Sequence, residues 1–248
     1  MNTSNDVKMR CLYGVNPVLE ALLSSTVVHE VFVQKGKKRV KKRLERVLAS
    51  RESSAEIKEC SAQELQRICR SAEHQGIAAR AEPLKNGSLS ALAKERKRLF
   101  VMLIDGVEDP RNLGAIYRVA DAVGVNLVFL PSRGSASHQL PSVAKASAGA
   151  VEHVPTVRTS KLKKAVGELR ELDFRVYALE GKKEGRSPGD VESSERLALI
   201  VGSEGRGVST TLAEMADAYI SIPMYGKVNS LNVASATAIA VYSLSGLR

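Results

Sequence analysis

Apolar residues along this chain fall in short runs between polar turns, and their period changes from run to run. In the first eighty residues helix and strand signals alternate: a helix from about Pro17 to Ser24, an apolar strand Val27 to Val33, a basic helix from about Lys38 to Ala49, and strands near Ala55 to Cys60 and Gly76 to Ala81. Ser61-Ala62-Gln63-Glu64 has capping-box spacing, in which each side chain takes the other residue's free N–H, so it predicts a helix running to about Arg70. Pro83 to Ser90 collects Pro, Asn, Gly and two Ser before the charged stretch Lys94 to Arg98, which is linker composition.

Beyond it, Leu99 to Ile104 is a continuous apolar run ending at Asp105-Gly106, and Asn126 to Leu130 is another ending at Pro131, with a helix from about Leu113 to Val123 between them. Uninterrupted apolar strands joined by a helix are the mark of a parallel sheet covered on both faces. Phe174 to Leu179, Leu197 to Val201 and Ala218 to Ile222 add three more strands. The segment Ser230 to Leu244 is apolar nearly all round, which predicts a helix buried on more than one side. The expected class is α/β, with a small domain over 1–82, a linker over 83–98 and a larger domain over 99–248.

Charge sharpens this division. Residues 1–98 hold 20 Lys and Arg against 11 Asp and Glu, a net of +9, whereas residues 99–248 hold 17 against 16, a net of +1. The densest cluster, Lys35 to Arg46, includes Lys37, Lys38, Lys41 and Lys42. Such a run is either a solvated helix face or a surface for phosphate backbones, and its confinement to one part of the chain favours nucleic acid. The three cysteines, Cys11, Cys60 and Cys69, are odd in number and lack C-x-x-C spacing, so they suggest neither a disulfide framework nor a zinc site. With no apolar run of membrane-spanning length and a polar Met1 to Arg10, the expectation is a cytoplasmic protein with no membrane and no metal.

In a parallel sheet, ligands bind beyond the carboxyl ends of the strands. The turn after Ile104 leads to Asn112, placed as a helix cap or a site residue, and to Arg118, six positions on amid apolar neighbours. A guanidinium buried there would need an ion pair or a bound anion. The turn after Val201 reads Gly202-Ser203-Glu204-Gly205-Arg206-Gly207; its G-x-x-G-x-G spacing matches neither the dinucleotide fingerprint nor a P-loop. It is either a plain tight turn or a place where backbone approaches a ligand, with Glu204 adding a carboxylate. After Ile222-Pro223-Met224 the last helix opens with both Ser230 and Asn232, one more polar residue than a cap requires.

Taken in order and separation, these three segments resemble the three motifs of the SpoU/TrmH family in the SPOUT class of methyltransferases. The resemblance extends over Tyr13-Gly14-Val15-Asn16-Pro17-Val18, Glu20-Ala21-Leu22-Leu23, His74-Gln75-Gly76-Ile77, Lys145-Ala146-Ser147, Gly149-Ala150 and Glu152, nearly the whole chain. It is greatest toward bacterial enzymes that methylate a guanosine 2′-oxygen in the peptidyl-transferase centre of 23S rRNA. It implies an L30e-like RNA-binding domain, then a SPOUT-type parallel sheet with a C-terminal trefoil knot, and a homodimer whose active sites are completed across the interface. It further implies S-adenosylmethionine as methyl donor, with Leu130, Gly202, Ile222, Met224, Leu231 and Ala234 around it, and Asn112, Arg118, Glu204, Ser230 and Asn232 around the ribose.

The family arginine is usually described as a general base, which conflicts with a guanidinium pKa above about 12. A charged Arg118 that orients a phosphate and stabilises the developing alkoxide fits the chemistry better. Three alternatives remain on the sequence alone: the same chemistry on a tRNA or another rRNA site; a non-catalytic RNA-binding protein, disfavoured by the presence of all five polar residues; and an enzyme for a small nucleotide, disfavoured by the basic N-terminal part.

Overall fold

The computed structural model describes residues 9–51, 53–181, 185–191, 194–228 and 230–246. The chain divides into two compact units. The first joins Met1–Leu84 with His138–His153, and the second joins Lys85–Ser137 with Val154–Arg248.

The first unit is built on β1 (Arg10–Tyr13), α1 (Val15–Leu23), β2 (Val28–Gln34), α2 (Lys38–Ser50), β3 (Glu56–Cys60), α3 (Ala62–Cys69) and β4 (Ile77–Ala81), with α6 (Pro141–Ala146) contributed from later in the chain. Its sheet runs β1-β4-β2-β3, with β4 antiparallel to both neighbours and β2 parallel to β3. Tyr13, Phe32, Cys60, Leu65, Cys69 and Ala78 pack together, which places α3 on the sheet. The capping box forms: Glu64 N–H donates to Ser61 Oγ at 3.2 Å, and Ser61 N–H donates to Glu64 Oε2 at 2.7 Å. The pattern of the sequence does not announce β1, because so short a strand shows no period.

Residues 138–153, expected in the larger domain, belong to this first unit, and one ion pair explains why. Arg10 donates through Nη1 and Nη2 to the two carboxylate oxygens of Glu152, at 2.9 Å each. Thr26 Oγ1 donates to the same carboxylate at 2.9 Å, and Arg10 Nε donates to the Glu82 carbonyl at 3.0 Å. The two charged side chains are only 4% and 0% exposed. A fork pairing a fork satisfies the guanidinium and the carboxylate together, which a buried pair requires.

The second unit holds β5 (Leu99–Ile104), α5 (Pro110–Ala122), β6 (Leu127–Pro131), β7 (Thr156–Thr159), α7 (Leu162–Glu171), β8 (Arg175–Leu179), β9 (Arg196–Val201), α8 (Thr210–Ala213), β10 (Ala218–Ile220) and α9 (Val233–Leu244). Its six strands lie in the order β10-β8-β9-β5-β6-β7, every neighbouring pair parallel. β7 reads Thr-Val-Arg-Thr and lies at the sheet edge, so it carries no apolar run. α7 is an addition to the expected elements, although Leu162, Ala165, Val166 and Leu169 are spaced for one helical face and are buried.

The segment 83–98 is not a plain linker. It contains α4 (Leu89–Glu95), capped by Ser88 Oγ, which accepts the Ala91 N–H at 3.3 Å, and Leu89 lies in the core of the second unit. Composition registers the turn residues and misses the Leu89/Leu92 pair that packs. The last helix also departs from expectation: Val233, Ala234, Thr237, Ala240, Val241 and Leu244 are buried, but Ile239 and Tyr242 are 43% and 48% exposed.

Truncating Glu152 would leave a buried guanidinium unpaired. Glu152→Ala is therefore expected to destabilise the first unit by about 3–5 kcal/mol, read as an earlier melting transition than in the wild-type chain. An unchanged transition would show that the pair contributes nothing to stability.

Candidate active site

Each unusual turn has a steric cause. After β9, Ser203 N–H donates to the Gly207 carbonyl at 3.1 Å and Gly207 N–H donates back to the Ser203 carbonyl at 3.0 Å, closing a small loop. Gly205 and Gly207 have φ of +79° and +72°, which disfavour a side chain. A Cβ on Gly202 would collide with the Gly207 carbonyl group, so that position requires glycine for close approach. One on Gly207 would meet the Glu180 carboxylate at 2.9 Å.

This loop forms one wall of a cavity of about 750 Å³ at the carboxyl end of the sheet. Leu179, Glu180 and Gly181 line it at the end of β8, Val201 to Gly205 and Gly207 after β9, Ile222 and Met224 after β10, and Ser230 to Val233 with Ala236 at the start of α9. Of the residues expected around a methyl donor, Gly202, Ile222, Met224 and Leu231 line the cavity. Leu130 and Ala234 are not among its lining residues: Leu130 is fully buried in β6, and the Ala234 N–H is taken by Asn232 Oδ1 at 2.9 Å. Glu180 and its neighbours are additions to the expected site, and the signal for them is that the turn after Leu179 also ends a parallel strand.

A single amide organises the polar residues. Asn232 Nδ2 donates to Glu204 Oε1 at 2.7 Å and to Asn112 Oδ1 at 3.0 Å, while Oδ1 accepts the N–H groups of Ala234 and Ser235 at 2.9 and 3.4 Å. Asn232 is thus the cap of α9 and a tie between the turn after β9 and the start of α5, with both amide hydrogens and its oxygen in use. Ser230 is the polar residue left over, exposed and lining the cavity. Asn112 is not a cap. Asp109 takes that place, accepting the Arg111 N–H at 2.8 Å, and α5 starts at Pro110, ahead of the expected Leu113.

Arg118 corrects the expectation of a buried guanidinium. It is exposed on α5, and among the described residues it has neither a hydrogen bond nor an ion pair. Six helical positions from Asn112 put it about 9 Å along the axis and about 240° around it, away from the Asn232 tie. Tyr117, one of the buried residues of that stretch, has its hydroxyl 2.7 Å from Thr156 Oγ1. Burial pushes the Tyr117 hydroxyl well above its ordinary range, which disqualifies it as a base.

On the first unit, Lys37, Lys38 and Lys42 are exposed, but Lys41 Nζ lies 2.6 Å from Glu59 Oε1, so the four lysines are not equivalent. The Glu59 carboxylate holds the Lys41 pKa above its usual value. No side chain caps α2, and no acidic residue stands in its first turn, so within the helix itself nothing offsets the cations at its start. Among the described residues no His, Cys, Asp and Glu group could hold a metal ion, and no helix is long and apolar enough to cross a membrane.

Two families match successive parts of the chain. Residues 98–242 match the SpoU rRNA Methylase family, and residues 11–87 match the family described as RNA 2′-O ribose methyltransferase substrate binding. A Staphylococcus aureus (strain COL) protein of the TrmH family of tRNA/rRNA methyltransferases is 35% identical over 237 residues, covering 94% of each chain. The structure of a TrmH-family RNA methyltransferase from Porphyromonas gingivalis is similar with a TM-score of 0.76 at 26% identity, covering 98% of both chains. The SpoU methyltransferase AviRb from Streptomyces viridochromogenes, solved with AdoMet, shares the fold with a TM-score of 0.77 at 21% identity, covering 95% of this chain and 88% of that one. By the match across its larger part and the relative along nearly its whole length, this chain belongs to the SpoU rRNA methylase family.

Proposed function

We propose that the protein transfers a methyl group from S-adenosylmethionine to a ribose 2′-hydroxyl of RNA, a guanosine in the peptidyl-transferase centre of 23S rRNA being the favoured target. The observation that carries the proposal is the cavity. Its described lining includes two carboxylates, Glu180 and Glu204, and neither Lys, Arg nor His, beside apolar walls from Leu179, Val201, Ile222 and Leu231. That suits a cationic sulfonium with an adenosyl group better than a polyphosphate nucleotide, which the two carboxylates would repel. The guanosine assignment rests on the motif likeness.

Bound there, the donor supplies an electrophilic methyl group. The chain supplies alignment and charge. Asn232 is occupied by its four bonds, so it positions Glu204 and Asn112, while Ser230 and the second Glu204 oxygen face the incoming ribose. Arg118 has no ion-pair partner within the described chain and lies on α5, which packs against α9, where Ile239 and Tyr242 are exposed. We place these residues at a homodimer interface, with Arg118 completing the partner's site as a charged group that holds a phosphate and stabilises the developing alkoxide. The trefoil threading, the roles of Leu130 and Ala234 at the margin of the donor site, and a cytoplasmic location complete the proposal.

Calorimetry on the full-length chain is expected to show S-adenosylmethionine binding in the presence of a chelator. Absence of binding, a need for added metal, or preference for a nucleoside triphosphate would contradict the donor assignment.

Arg118→Lys is expected to fold, dimerise and bind the donor, yet lose about a hundredfold to a thousandfold in single-turnover methylation, corresponding to roughly 2.7–4 kcal/mol. A mixed dimer of Arg118→Ala and Glu204→Gln chains should recover activity, because one of its sites would be intact. Near-normal turnover in Arg118→Lys would remove the arginine from the mechanism, and no recovery in the mixed dimer would place it in its own chain's site.

Replacing Lys37, Lys38 and Lys42 with Ala should flatten the salt dependence of RNA binding by about 0.7–0.9 in log–log slope for each phosphate no longer neutralised. Lys41→Ala should change it less, since Glu59 already pairs with that ammonium. Equal effects at all four positions would contradict the distinction.

A further inference from the structure

Three sequence motifs find no use in the cavity: Tyr13-Gly14, His74-Gln75-Gly76 and Lys145-Ala146-Ser147. All three meet in the first unit. Gly14 N–H donates to the Ile77 carbonyl at 3.1 Å and Gln34 N–H donates to the Gly76 carbonyl at 2.9 Å, so the turns after β1 and β2 and the turn before β4 share one end of the four-stranded sheet. Gln75 has φ of +57°, unusual outside glycine, and its Oε1 accepts the Val15 N–H at 3.2 Å.

Lys145 reaches this end from α6. Its Nζ donates to the Glu73 carbonyl at 3.1 Å and stands 5.9 Å from the centre of the Tyr13 ring. Among the described residues it has no carboxylate within ion-pair distance, and one hydrogen bond uses one of three ammonium hydrogens. Gly14, with φ of +92°, keeps the space beside it: a Cβ there would come within 2.6 Å of Nζ and 3.1 Å of Gln75 Oε1. At Gly76, φ is +85° and a Cβ would lie 3.0 Å from the Lys37 stem. The Gln75-Gly76 turn therefore has Lys37 against one residue, and the other reaches the Gly14 position that Lys145 overhangs.

We propose that Lys145 is a phosphate-contacting residue for RNA, extending the basic edge of Lys35, Lys37 and Lys38 across the Gln75-Gly76 turn. The proposal rests on the RNA-methyltransferase reading above. An ammonium held against an aromatic face and a backbone carbonyl, without a counter-ion of its own, gains most from an anion supplied by a ligand. Burial lowers its pKa even though the Glu73 carboxylate opposes the shift, as expected for a charge that is under-compensated in the free protein. The same segment brings Glu152 to Arg10, so the chain between β6 and β7 both anchors itself in the first unit and delivers a cation to its RNA-facing end.

The test uses full-length protein and a fluorescein-labelled stem-loop RNA, with affinity measured across a salt series. Lys145→Gln keeps a donor for the Glu73 carbonyl and removes the charge. It should lower the log–log salt slope by about 0.7–0.9 with melting temperature and donor affinity unchanged, and Lys145→Arg should restore the slope. A lowered melting temperature with an unchanged slope in Lys145→Gln would overturn the proposal and leave Lys145 a packing residue. If the wild-type chain shows no salt-dependent RNA binding, the broader reading falls with it. If the wild-type and Lys37→Ala chains differ while Lys145→Gln matches wild type, only the Lys145 assignment fails.

Discussion

The Asn232 side chain is the constraint on which the active-site geometry turns. One planar amide caps α9 with its oxygen and holds Glu204 and Asn112 with its nitrogen, so the turn after β9, the start of α5 and the start of α9 are fixed relative to one another. Three of those four bonds are exposed and the fourth is part-buried, and a single such hydrogen bond adds only about 0.5–1.5 kcal/mol. The consequence is positional more than energetic. An amide with all its groups in use cannot rotate without breaking several bonds, and that is how a site at strand ends obtains fixed directions from flexible turns.

A second constraint separates the two units by chemistry. The first carries the basic cluster Lys35 to Arg46 and ties residues 138–153 to itself through the Arg10–Glu152 pair, and the second has a cavity with two carboxylates in its described lining. A phosphate-rich polymer and a small sulfonium cofactor call for opposite local fields, and a chain that handles both does best to keep the basic cluster and the carboxylate-lined cavity in different units. The sequence order does not respect that division. The stretch between β6 and β7 supplies Glu152 and Lys145 to the first unit, so severing the chain near residue 98 would strand both.

Much of the fold is legible in the sequence because its signals are local. Uninterrupted apolar runs mark β5, β6, β8 and β9, and the Ser61–Glu64 spacing marks the start of α3. What escapes is either too short, as with β1, or written in polar residues at an edge, as with β7. The placement of 138–153 escapes for another reason, since it depends on a bond between residues 142 positions apart. In the site, the glycine spacing after β9 and the surplus polar residue before α9 are visible, but their roles are not. Only the three-dimensional arrangement shows that Asn232 is the cap and Ser230 the residue to spare, that Asp109 displaces Asn112 from the α5 cap, and that Arg118 faces outward.

An exposed arginine with no partner in its own described chain, a cavity suited to a sulfonium and a basic N-terminal stretch all converge on transfer to RNA, and the position of the new methyl group decides the matter. The direct measurement is to incubate the protein with methyl-labelled S-adenosylmethionine and ribosomal RNA from cells lacking it, then hydrolyse the product with alkali. A methylated 2′-oxygen blocks cleavage of the adjacent phosphodiester, so the account predicts label confined to one alkali-resistant dinucleotide containing guanosine. Label released on mononucleotides, marking a methylated base, or no transfer to any RNA would contradict it.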